Sequence, residues 1–148
     1  MDKLTAQEEI DVVARPERVW QVLTDPELTR RYMFGCVPIT DWRVGSSLAW
    51  QGTLDGKNHV FVAGDLLAVE PPALLSYTTY DPSAAAPDPP ARRVRVVCRL
   101  TSPRPGTTHL EVSQGDFAGL PDADRRYQET RAGWRAVVTE IKKIAESS

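Results

Sequence analysis

The groups able to do chemistry in this chain are few and scattered. Two cysteines, Cys36 and Cys98, and two histidines, His59 and His109, lack the short spacings that let several ligands close on one ion, so no metal site is expected. Serine, histidine and aspartate are all present, yet there is no Gly-x-Ser-x-Gly elbow, His-Glu-x-x-His pair or phosphate-cradling glycine loop, and no cofactor is called for. Asp122 and Asp124 fit the positive end of a helix dipole, and Glu8 and Glu9 fall in an expected frayed terminus, so neither pair reads as an acid/base couple. What remains is a group of polar tips around a tryptophan. Tyr127, Thr130 and Arg131 lie one to two helical turns before Trp134, and Gln114 falls on the inward face of a strand. A buried polar tip needs a partner, so any of these turned inward would mark an anchor for a ligand. For Arg131 the solvated reading is favoured. Gly133, beside Trp134, weakens its helix by about 1 kcal/mol relative to Ala, which asks for tight packing there or for space left to a guest. Tight packing is the expectation. Such groups are suited to recognition.

These side chains are positioned by a simple order of elements. Ile10, Val12 and Ala14 alternate as one face of a strand, and Pro16 suits the first turn of a helix whose apolar stripe is Val19, Trp20, Val22 and Leu23. Thr24-Asp25-Pro26 stops that helix and caps a second, short one reaching about Tyr32. Strands are expected at Val37 to Val44, Leu48 to Gln51, His59 to Glu70 and Leu74 to Tyr80, with Pro71-Pro72 making the turn between the last two. The proline-rich run Asp81 to Ala91 reads as an exposed, mobile connection. Arg93, Arg95 and Arg99 alternate with Val94, Val96, Cys98 and Leu100 as a strand with one wet face, paired with Thr107 to Gly115. The closing helix is expected from near Pro121 to about Glu146, burying Trp134, Val137, Val138, Ile141, Ile144 and Ala145. A curved antiparallel sheet closed by one long helix leaves a gap between the two, a place for an apolar molecule.

Composition sets outer limits. At 148 residues with 41% hydrophobic content, one core is expected, burying roughly 68–70% of the unfolded surface. Eighteen basic residues against twenty acidic give a net charge of −2, which offers no long-range attraction for nucleic acid or anionic membranes. The N-terminal residues carry no signal-peptide stretch, and nowhere do about 18 consecutive apolar residues occur, so no membrane insertion and a cytoplasmic location are expected, with both thiols reduced.

In order, the stretches Ile10 to Pro26, Asp41-Trp42-Arg43-Val44-Gly45-Ser46, Gly64 to Tyr77 with Glu70-Pro71-Pro72, Gly106-Thr107-Thr108-His109-Leu110, and Gly133-Trp134 cover nearly the whole chain. In these the chain resembles the activator of heat-shock-protein-90 ATPase homologue-like family of the START-like (SRPBCC, Bet v 1-like) superfamily. The resemblance implies an α+β helix-grip fold, a curved antiparallel sheet of six to seven strands around a long C-terminal helix, as one domain over residues 1–148. The chaperone-docking domain of the eukaryotic activators is expected to have no counterpart in this chain. The resemblance also implies a cavity between sheet and helix. Its expected lining is Tyr32, Phe34, Trp50, Tyr77, Gln114, Phe117, Tyr127, Thr130, Arg131, Trp134 and Val138, with no catalytic residue among them. The function expected is non-catalytic binding of a hydrophobic small molecule, lipid-like or aromatic. The alternatives are a module acting on a chaperone ATPase and a polyketide cyclase/aromatase-like or hydrolase enzyme. A chaperone and a second copy of the chain stand as further partners.

Overall fold

The opening strand β1, Ala6–Val12, alternates buried and exposed positions, and Pro16 starts helix α1, Pro16–Thr24, as its fixed φ allows. Asp25 does two jobs. Its N–H bonds back to Gln21 to end α1, and its carboxylate accepts from Glu27 N to open α2, Pro26–Tyr32. Six more strands follow: β2 Val37–Ile39, β3 Ser47–Leu54, β4 Lys57–Glu70, β5 Leu74–Thr79, β6 Val94–Thr101 and β7 Thr108–Gly115. Helix α3, Ala123–Glu146, closes the chain. The computed structural model describes residues 3–147. Met1, Asp2 and Ser148, which the single-domain expectation takes in, lie outside the described residues.

The seven strands form one antiparallel sheet in the order β1-β7-β6-β5-β4-β3-β2. Register shifts at Trp50/Gln51 and between Leu66 and Ala68 bend it, as bulges do. At Gly64, between them, a Cβ would collide with the Thr78 carbonyl, so only glycine lets β4 pass this close to β5. Helix α3 spans 24 residues, about 36 Å at roughly 1.5 Å each, and presents Trp134, Val137, Val138, Ile141, Ile144 and Ala145 to the concave face. The main core joins that stripe to Val12, Leu66, Val96, Leu110 and Val112 of the sheet and to Val19 and Val22 of α1. This is the helix-grip architecture.

Four local expectations change. The strand expected over Val37 to Val44 stops at Ile39, because Asp41 Oδ1 accepts from Arg43 N and Trp42 takes a left-handed φ of 61°, a turn that overrides β-propensity. The closing helix starts at Ala123 rather than near Pro121, with Asp122 in a left-handed φ of 54° before it. Glu8 and Glu9 are strand residues rather than a frayed end, paired with Val112 and Glu111 of β7. The proline-rich connection is exposed over residues 81–87 but tethered at Asp88, whose carboxylate meets Arg126 of α3 at 2.6 Å.

Candidate functional site

The concave face carries a row of side chains fixed by register. Tyr77 of β5 lies opposite Val96 of β6, and Val96 opposite Gln114 of β7. Thr79, two residues after Tyr77, shares that face, and Trp50 of β3 stands across from Val62 of β4. Trp134 approaches from α3, and the turn Met33–Cys36 closes the near side. Together these line a cavity of about 410 Å³, open to solvent on one side, whose walls are Met33, Phe34, Cys36, Trp50, Phe61, Val62, Tyr77, Thr79, Val96, Gln114 and Trp134. None of them carries a formal charge at neutral pH. Phe34 is 81% exposed at the rim, held there by consecutive left-handed residues, Phe34 at φ 55° and Gly35 at φ 84°.

Three polar side chains of this wall are linked by hydrogen bonds. Trp134 Nε1 donates to Gln114 Oε1 at 2.8 Å, Gln114 Nε2 donates to Thr79 Oγ1 at 3.2 Å, and Thr79 Oγ1 donates to Val94 O at 3.3 Å. Burial raises the Cys36 thiol above its ordinary range, and burial followed by the nearby Cys98 raises the Tyr77 phenol, against a hydrogen bond with Trp50. Burial alone pushes the thiol of Cys98, two residues along β6 from Val96, up to about 12. Both thiols and the phenol are therefore neutral at physiological pH, and the wall offers neither a ready nucleophile nor a general base.

A second cavity, of about 440 Å³, adjoins the first through Phe61, Val62, Thr79 and Gln114 and continues to Phe117, Arg126, Glu129 and Thr130. A shallower recess of about 170 Å³ runs along α3 past Thr130, Gly133 and Val137. A Cβ built on Gly133 meets nothing within 4 Å, which overturns the tight-packing expectation: this glycine faces open space at the recess.

Of the residues expected to line the site, Phe34, Trp50, Tyr77, Gln114 and Trp134 lie together on the first cavity, and Phe117 and Thr130 on the second. The other four lie elsewhere. Tyr32 is buried between the short helices, its hydroxyl donating to Leu23 O at 3.2 Å. Tyr127 packs on a satellite cluster of Val94, Phe117 and Leu120. Arg131 faces outward, 4.0 Å from Glu8, and Val138 is spent in the main core. The lining residues that sequence reasoning missed include Thr79 and Val96, findable from alternation once Tyr77 is turned inward, and Phe61 and Val62, hidden by the register shift in β3–β4.

On the opposite face, register also assembles Glu9, His109 and Glu111, with donor atoms within 4.8 Å of one another. His109 Nδ1 lies 2.7 Å from Asp11 Oδ1, and that hydrogen bond, ahead of the charges of Asp11, Glu9 and Glu111, raises the imidazole pKa against some desolvation. The scattering of histidines and carboxylates in sequence does not survive folding at this spot.

A family model described as activator of Hsp90 ATPase homolog 1-like protein matches residues 13–146 of this chain. The chain belongs to that family. Proteins of known structure share its fold over nearly the whole chain. A Cytophaga hutchinsonii protein is 28% identical with a TM-score of 0.78, the match covering 99% of this chain and 97% of that one. A Mesorhizobium loti protein is 29% identical with a TM-score of 0.72, covering 95% of each chain. An Hsp90 activator from Plasmodium falciparum, 14% identical, covers 95% of this chain and 94% of its own with a TM-score of 0.68, a likeness of fold. No curated protein matches the sequence. Within the family fold, no helix among the described residues is long and apolar enough to cross a membrane.

Proposed function

We propose that this activator-like chain acts as one START-like domain of the cytoplasm that holds a hydrophobic small molecule, lipid-like or aromatic, between sheet and α3 without transforming it. One observation carries the reading: a cavity of about 410 Å³ has a wall free of formal charge. A space lined by apolar side chains and left empty forfeits their packing contacts. Water filling it would meet aromatic and aliphatic surface almost everywhere, with few polar partners. A guest that covers Trp50, Tyr77, Val96 and Trp134 removes that surface from water and makes the fold more stable. The neutral thiol and phenol support binding over chemistry.

Native mass spectrometry of freshly purified protein, with a thermal-shift screen of lipids and aromatic compounds, tests this. At a ligand concentration near 100 times Kd the folded state gains about 2.7 kcal/mol, so a true ligand raises Tm by several degrees. A bare polypeptide mass together with no shift from any apolar compound rejects the proposal. The family match supports a second reading, a module acting on a chaperone ATPase. Stimulation of such an ATPase by the purified chain, with the thermal screen negative, would favour it.

A further inference from the structure

The polar spot in the cavity wall has a fixed direction. An indole N–H can only donate, so Trp134 Nε1 identifies the Gln114 atom 2.8 Å away as the amide oxygen. A peptide carbonyl can only accept, so the Thr79 hydroxyl gives its proton to Val94 O and turns a lone pair toward Gln114 Nε2 at 3.2 Å. The amide is gripped at both ends and has no alternative orientation. One N–H of Gln114 Nε2 stays outside this chain of bonds. Gln114 is also the side chain that the first cavity, the second cavity and the recess beside Gly133 have in common. Whatever fills the space passes the Gln114 amide, with the Tyr77 hydroxyl as a further donor in the first cavity.

Charge narrows the class further. The first cavity has no cationic side chain. The second has Arg126, which is committed to the largely buried Asp88 carboxylate at 2.6 and 3.3 Å, and its other charged residues, Asp81 and Glu129, are acids. An anionic head group would find no free counter-charge in either space and would lose its hydration on entry.

We infer that the ligand is a neutral apolar molecule bearing a carbonyl-type oxygen acceptor, which the second N–H of Gln114 receives, and that carboxylates are turned away. This rests on the first cavity being the binding site. Three naphthalenes of nearly equal shape separate the two statements by isothermal titration: 2-acetylnaphthalene, 2-isopropylnaphthalene and 2-naphthoate. The ketone binds about three- to tenfold more tightly than the hydrocarbon, the worth of one neutral hydrogen bond, and the carboxylate binds at least about tenfold more weakly than the ketone. In Gln114→Met the ratio of ketone to hydrocarbon affinity falls to about one. Gln114→Leu serves as the second variant, and circular dichroism checks that each is folded. Equal binding of ketone and hydrocarbon by the unaltered protein, a preference that survives both substitutions, or tight binding of 2-naphthoate overturns the inference and leaves the cavity as a binding site. Binding by none of the three overturns the cavity reading and this inference with it.

Discussion

Gly133 shows how one missing side chain shapes the site. A glycine within a helix loses more conformational freedom on folding than Ala does, and here no neighbour requires it, since a Cβ meets nothing within 4 Å. Gly133→Ala should therefore stabilise the protein by about 0.5–1 kcal/mol, seen as a higher midpoint in urea. A lower midpoint would mean that the helix approaches the sheet more closely than described. Trp134, the next residue, turns inward and ties α3 to the sheet through Gln114. That bond joins residues twenty apart, and the chain sequence shows only that Gln114 faces inward, never which partner it meets.

Among the elements, periodicity was the readable signal and register the hidden one. The buried stripe of α3 follows from three- and four-residue steps, and the inward faces of β6 and β7 follow from alternation. The early end of β2 did not follow, because the Asp41 turn competes with a run that favours extended backbone. Neither did the cluster on β1 and β7. Glu9 lies opposite Glu111 and Asp11 opposite His109, pairs separated by about a hundred residues whose meeting depends on how the two strands slide into place. Like charges directly opposed weaken a strand pair, and a protonated imidazole between them relieves this. The pKa of His109 is raised in the folded state from its ordinary 6.5, with Asp11 the leading cause, so folding binds that proton more tightly. Its contribution to stability is full below pH 6.5 and disappears as pH rises through the raised folded value. Denaturation midpoints measured from mildly acidic to alkaline pH should show the unaltered protein losing its advantage over His109→Asn across that interval. A constant difference between the two would contradict the account.

At the scale of the molecule, the order of elements makes the fold legible and leaves the cavity's true lining only half legible. A sheet that wraps a terminal helix must leave room somewhere, and the aromatic residues Phe34, Trp50, Tyr77 and Trp134 do stand together around it. Tyr32, Tyr127, Arg131 and Val138 fall away because a hydroxyl bond to Leu23 O, a satellite cluster, an acidic neighbour and the core stripe hold them elsewhere. The four tryptophans divide cleanly: Trp50 and Trp134 line the cavity, whereas Trp20 and Trp42 pack on the main core from outside it. Titrating 2-acetylnaphthalene into nitrogen-15-labelled protein while following the indole N–H resonances tests the central claim most directly. The account predicts that the Trp50 and Trp134 signals move in a saturating manner while those of Trp20 and Trp42 stay in place. Four unmoved signals, or shifts at Trp20 and Trp42 without shifts at Trp50 and Trp134, would contradict it.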